Sequence, residues 1–185
     1  SGVDYGYAMT RCMFSAGNVN ERRRMGELVS EGEVVVDLYA GIGYYTLPAL
    51  VHGGATVHAC EWNQEALKAL RWGLDANGVK ERCTIHEGDN RGTTESLSGT
   101  ADRVFLGLLP SSEEGLEVAM RVLSPSGGAL HVHGLAPSKD HLSWVDGVLS
   151  SASSLRLGSD LSPSLTRVKS YAPHWDHVVL DLRVA

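Results

Sequence analysis

Cysteine is scarce in this 185-residue chain, apolar runs are short, and basic residues are outnumbered by acidic ones. Each shortage excludes something. The three cysteines, Cys12, Cys60 and Cys83, are an odd number without paired metal spacing, which argues against a disulfide framework or a cysteine-held metal. Each sits in strand-like sequence, and all three are expected to be reduced, buried thiols. No stretch approaches the roughly 20 apolar residues of a membrane helix, and the start lacks a basic segment followed by an apolar signal core. The expected compartment is the cytoplasm. With 16 Lys and Arg against 22 Asp and Glu, the net charge is -6, so the surface as a whole is no phosphate-binding footprint. Any nucleic acid has to be held locally, and Arg22, Arg23 and Arg24, with Arg11 upstream, form a local basic run that an exposed helix start would also explain.

What is present is ordinary globular sequence. Hydrophobic residues make up 43% and charged residues 21%, and this length suffices for one core burying roughly 70% of the unfolded surface. Ser1-Gly2 reads as an expression scar, and the sequence as a domain cut from a longer protein. The expected organisation is an N-terminal extension over 1–32 and a catalytic domain over 33–185, with no internal repeat.

Glu33–Tyr39 opens on three valines, an unbroken apolar run of the kind parallel strands show when both faces are covered. A glycine turn and a short apolar segment, Tyr45–Val51, lead to a second strand, Thr56–Cys60. Asn63 is placed to cap a helix with Leu67, Leu70 and Leu74 on one face and Gly78 as its left-handed stop. Further strands are expected at Cys83–His86, Asp102–Leu109 and Ala129–His133. Helices are expected after Ser112, with Leu116, Ala119, Met120 and Leu123 buried, and after Ser138, with Leu142, Val145, Val148 and Leu149 as its apolar face. Residues 150–164, rich in Ser, Gly and Pro, read as a mobile connection. Arg167–Ala172 and His177–Val184 alternate at period two around a turn and predict an antiparallel hairpin. The resulting expectation is a doubly wound, Rossmann-like α/β fold: a mostly parallel seven-stranded sheet ending in an antiparallel hairpin, the class I methyltransferase architecture.

Asp37-Leu-Tyr39-Ala-Gly41-Ile-Gly43 ends the first strand, where open α/β sheets bind ligands, and its glycines allow a sharp turn toward a helix N-terminus. A two-glycine turn alone is equally a plain strand-to-helix connection. Glu61 ends the second strand 18 residues after Gly43, near the offset at which an acid accepts ribose hydroxyls. Asp89-Asn90 ends the third strand, where a carboxylate and an amide can hydrogen-bond adenine. A dinucleotide site would carry a third glycine about where Thr46 stands, so the better ligand is S-adenosylmethionine, which has no phosphate to cradle. Trp62 is a candidate stacking surface beside Glu61, as are Tyr44 and Tyr45, although aromatics near strand ends more often cap a core.

These residues resemble the family of tRNA guanosine-37 modifying enzymes, which comprises wybutosine-synthesising aminocarboxypropyl transferases and guanine-N1 methyltransferases. The likeness rests on Met13-Phe-Ser15-Ala-Gly-Asn18 with Glu21-Arg22, Asp37 to Pro48, His58 to Asn63, Gly88 to Arg91, Gly107 to Glu114, and Ser170 to His174 with Asp176-His177. It implies transfer of a 3-amino-3-carboxypropyl group from S-adenosylmethionine to C7 of 4-demethylwyosine in the anticodon loop of tRNA(Phe). It further implies that Ser15 and Arg22 contact the cofactor, that Arg22 also faces substrate, and that Gly107, Pro110 and Ser111 wall the pocket of the target base. Methyltransferase relatives carry an Asn-x-Pro signature at this turn. Here Gly107, Leu108 and Leu109 precede Pro110, a departure that favours the aminocarboxypropyl reaction. The alternatives are a guanine-N1 methyltransferase and an inactive cofactor- and RNA-binding module. No general base is named.

Arg22 is equally suited to an ion pair with Glu21 or Glu27. His131 and His133, and His174 with His177, lack a matching cysteine or carboxylate spacing, so hydrogen bonding rather than metal binding is expected of them. A monomer without metal is the expected form.

Overall fold

The computed structural model describes residues 2–6 and 18–185, so Arg11, Cys12 and Ser15 lie outside the described residues. Two compact units make up the chain, Ser1–Ser96 and Leu97–Ala185.

The first unit holds α1 (Val19–Leu28), β1 (Val34–Asp37), α2 (Thr46–Val51), β2 (Thr56–Glu61), α3 (Gln64–Ala76), β3 (Cys83–Glu87) and α4 (Asn90–Thr93). β2 pairs in parallel with β1 and with β3, and its last residue, Glu61, stands opposite Glu87. Buried Val35 and Val36 bear out the two-sided burial that the valine run implied. α3 forms as its spacing predicts: Leu67, Leu70 and Leu74 are buried, and the Asn63 side chain accepts from the backbone N–H of Glu65 and Ala66 at 2.9 and 3.3 Å. Gly78 follows at φ +64°. Residues 2–6 are tied to the end of this helix, with Asp4 N donating to Asn77 Oδ1 and Asn77 Nδ2 to Asp4 O.

The second unit holds β4 (Arg103–Leu106), α5 (Leu116–Val122), β5 (Gly128–Pro137), α6 (His141–Leu155), β6 (Leu161–Ala172) and β7 (Trp175–Val184). β4 and β5 are parallel, while β7 lies antiparallel to both β5 and β6. The seven strands take the sheet order β3-β2-β1-β4-β5-β7-β6, a mixed α/β fold of the class I methyltransferase type.

Several local expectations are corrected. The connection expected over 150–164 shrinks to 156–160, because α6 continues to Leu155 and β6 begins at Leu161. Ser151 and Ser154 bond their hydroxyls back to the carbonyls of Gly147 and Ser151, and Pro163 is tolerated because β6 is an edge strand. α6 is capped by Asp140, whose Oδ1 accepts from Ser143 N, and not by Ser138. Ser112 caps no helix, because its hydroxyl donates to the carbonyl of His133 at 2.6 Å. β5 runs four residues beyond His133, since β7 pairs with it as far as Pro137. Cys60 is buried as expected, but Cys83, on the edge strand β3, is only half-buried. Burial pushes both thiols up to about 12, which leaves them unreactive.

Candidate active site

Hydrogen bonds close a ring around the three strand ends of the first unit. After β1 the chain turns because the Asp37 carboxylate accepts from the hydroxyl of Thr46 at 2.8 Å and from Tyr39 N at 3.3 Å. That carboxylate is fully buried, and loss of water pushes its pKa up to about 6. The glycines of the turn play different parts. Gly41 adopts φ +56°, where a side-chain carbon would meet the Tyr44 ring at an ordinary 3.6 Å, whereas one at Gly43, φ +95°, would stand 2.9 Å from both Leu47 and Leu70.

From β2, Glu61 reaches across to this turn. One carboxylate oxygen accepts from Gly41 N at 2.8 Å, and the other from Trp62 N and Asn63 N at 2.9 and 2.7 Å. Ala40 N donates to Cys60 O at 3.0 Å. From β3, Gly88 N donates to Glu61 O at 3.0 Å, and Asn90 Nδ2 reaches Leu38 O at 2.9 Å. Each of the three strand ends is thus bonded to the other two. Asp89 begins α4, accepting from Arg91 N and taking the Arg91 guanidinium on both oxygens, a pairing that draws its pKa down to about 2. Trp62, next to Glu61, is 76% exposed.

Arg22 projects from α1 and is buried, its guanidinium carbon 5.1 Å from the Tyr5 ring centre and 5.7 Å from that of Tyr44. Glu21 is bonded to Arg24. Tyr5 also donates its hydroxyl to Tyr44 O at 3.3 Å, and burial lifts its pKa to about 12. Two of these parts were not legible in the sequence. Thr46, the partner of Asp37, stood out only as a missing glycine, and Tyr5 carries no local signal because its partners Arg22 and Tyr44 are distant in sequence.

The other predicted residues belong to the second unit. Half-buried Gly107 follows β4, and exposed Pro110 and Ser111 are tied to β5: Leu135 N donates to Pro110 O at 2.9 Å, and Ser111 forms a bridge to Gly134. The Leu109–Pro110 peptide is cis. The strand histidines make hydrogen bonds, as the spacing argument held. His131 lies between the Arg103 guanidinium (2.7 Å) and Asp181 (2.6 Å), and His133 Nδ1 lies 3.0 Å from His177 Nε2. Desolvation drives the His177 pKa down to about 4, so its ring is neutral at neutral pH. Among the described residues, no three His, Cys, Asp or Glu side chains are grouped to hold a metal ion.

This geometry can now be set beside known proteins. The family model described as the TRM5/TYW2 methyltransferase domain matches residues 1–147. The chain belongs to the TRM5/TYW2 family. Within it, a tRNA wybutosine-synthesizing protein 2 homolog of Danio rerio is 44% identical over 217 residues, covering 97% of this chain and 53% of that protein. The chain therefore spans about half the length of that curated relative. Among solved structures, P. horikoshii TYW2 in complex with MeSAdo is 32% identical with a TM-score of 0.91, covering all of this chain and 69% of that one. M. jannaschii TYW2 in complex with AdoMet is 30% identical with a TM-score of 0.90, covering 99% and 82%.

Proposed function

We propose that this TRM5/TYW2-family chain is the catalytic part of an S-adenosylmethionine-dependent tRNA 3-amino-3-carboxypropyltransferase. It acts in the cytoplasm as a monomer, on C7 of 4-demethylwyosine at position 37 in the anticodon loop of tRNA(Phe), a step of wybutosine biosynthesis. The observation that carries this reading is the ring of hydrogen bonds joining the ends of β1, β2 and β3, with the Glu61 carboxylate at its centre.

The residues present suit the nucleoside. Glu61 spends three of its roughly four lone-pair directions on backbone N–H groups, which orient it and leave acceptor capacity for a ribose hydroxyl. Asp89-Asn90, held by Arg91 and by Leu38 O, would face the adenine, and exposed Trp62 offers it a stacking surface. Gly41 lets the backbone come close, and Asp37, Tyr39, Thr46 and Gly43 hold the turn in shape. Arg22 would meet the methionine carboxylate or an RNA phosphate, and Ser15 would contact the cofactor. In the second unit, Gly107, Pro110 and Ser111 would wall the base pocket.

The co-substrate supplies a sulfonium with three carbons open to displacement. Attack at the aminocarboxypropyl carbon forms the bond to C7, sends the sulfur–carbon pair onto sulfur, releases the C7 proton and leaves methylthioadenosine. What this chain contributes is position, because an in-line arrangement at roughly 3 Å selects one carbon of the three. The relatives support this choice, one bearing AdoMet and the other MeSAdo, as does the absence of an Asn before Pro110.

The test uses S-adenosylmethionine labelled either in the carboxyl or in the methyl group, with demethylwyosine-containing tRNA. Carboxyl label in the RNA, with methylthioadenosine released, is expected. Label entering only from the methyl group would reject the reading in favour of guanine-N1 methylation. Cofactor binding with no turnover on any tRNA would leave a binding module.

A further inference from the structure

We propose that the turn of the terminal β6–β7 hairpin is a second RNA contact, in which Tyr171 and Trp175 stack on unpaired nucleotides flanking the modified base. This rests on the reading of the protein as a tRNA enzyme and adds the surface that would grip the loop beyond the base pocket.

Three observations within the second unit converge on that turn. First, it presents aromatic area to water: Tyr171 is 52% and Trp175 45% exposed, and Pro173 and His174 between them are exposed too. Tyr171 falls in a register shift between Ser170 and Ala172, and such a bulge redirects a side chain out of the regular pleat. His174 takes φ +69°, a conformation uncommon for a residue with a side chain and one that recurs at ligand-contacting turns.

Second, the turn is fastened in place. Asp176, itself buried, takes both nitrogens of the Arg167 fork at 2.8 and 2.9 Å and accepts from His141 Nε2 at 3.0 Å, while Ser138 N donates to His174 O at 2.9 Å. Rings held on a rigid mount lose little freedom when a base stacks on them, which is what a preorganised contact requires.

Third, β5 carries this turn on its β7 edge and the proposed base-pocket loop on its β4 edge. Leu135 of β5 bonds Pro110, and Pro137 stands opposite Trp175. Those two β5 positions are roughly 7 Å apart along the strand, close enough for neighbouring nucleotides of one loop to reach both.

The chemistry favours RNA over a protein partner. From Val168 to Trp175 there is no acidic residue in a chain of net charge -6, Lys169 lies within the segment, and Lys139 is exposed on the adjoining corner. The nearby Asp140 is engaged in capping α6. Aromatic faces bordered by cations suit unpaired bases and their phosphates, because every base offers a π-face.

The experiment measures binding of a fluorescein-labelled anticodon stem–loop RNA to the full chain by anisotropy, alongside S-adenosylmethionine binding by calorimetry. Trp175→Ala and Tyr171→Ala should each weaken RNA binding by about 5- to 100-fold, and Trp175→Phe should restore most of the loss, because stacking needs a ring. Cofactor affinity should not change. A perfectly paired RNA duplex should not sense either substitution. RNA affinity within about twofold of wild type in both alanine variants overturns the proposal. So does a Trp175→Ala variant that breaks self-association in sedimentation without weakening RNA binding, since the face would then be a protein interface. Tyr171 is exposed at a bulge, so its variant keeps the test decisive even where Trp175→Ala does not fold. The readout is binding, so it is independent of which carbon the enzyme transfers.

Discussion

Glu61 holds two turns together, and in the proposed site the same side chain would also meet the ribose. Three backbone N–H groups from two separate turns converge on its carboxylate. Glu61→Ala should therefore weaken S-adenosylmethionine binding by about 1–3 kcal/mol in calorimetry, through loss of charge-assisted bonds to ribose and of the ordered turn. An unaltered affinity would count against the nucleoside placement. Asp37 is a different case, since its buried carboxyl is pushed from 3.8 up to about 6. A folded-state pKa above the unfolded one means the native protein keeps a proton the unfolded chain has lost. Its contribution therefore turns unfavourable as pH rises from about 4 to about 6, by up to about 3 kcal/mol. Asp37→Asn, which can still bond Tyr39 N and Thr46, should gain stability relative to wild type between pH 4 and pH 7 in urea unfolding. Equal pH dependence in the two proteins would show that Asp37 ionises freely. The letters of the sequence pointed to both acids, but only three-dimensional pairing separates the one bonded to two turns from the one sealed behind Thr46.

Among the elements, α3 follows most directly from its own residues. Its apolar spacing, Asn63 cap and Gly78 stop are all local, so neighbours in sequence suffice to specify it. Asn63→Ala should cost about 1 kcal/mol and lower the melting temperature by roughly 2–4 °C, as read by circular dichroism. The C-terminal elements were less legible. A serine-rich run looks like a loop until a neighbouring sheet buries Val145, Val148 and Ala152 on the opposite face of the same helix. Likewise, the last residues of β5 become strand only because β7 pairs with them. The Asp176 fastening is tertiary in the same sense, drawing on β6, β7 and α6. Asp176→Asn should loosen it, and amide hydrogen exchange over 171–175 should quicken while exchange in α3 stays as in wild type. Uniform rates over the turn would mean that strand pairing alone holds it.

For the chain as a whole, a net negative charge would limit how the proposed RNA substrate is held. Few phosphates can be neutralised at a net charge of -6, so a plot of log affinity for tRNA against log salt should be shallow, with a slope smaller in magnitude than about 3. A slope like that of a protein making six to ten phosphate contacts would reveal a basic face that the charge count conceals. Base stacking and pocket contacts, rather than bulk charge, would then supply the selectivity.

The order of the strands, the helices α2, α3, α5 and α6, the turn at Gly41 and the acids at or just after the ends of β1, β2 and β3 were set by sequence alone, because hydrophobic period, capping and glycine turns act over a few residues, whereas α1 and α4 carried no such signal. Tertiary structure decided which atoms those acids meet: Thr46 for Asp37, the Gly41 turn for Glu61, Arg91 for Asp89. It likewise decided that Tyr5 and Tyr44 lie beside Arg22, and that the hairpin turn sits two residues along β5 from the Pro110 loop. Such partners are chosen by packing and strand register across many residues of separation, and no local pattern carries that information.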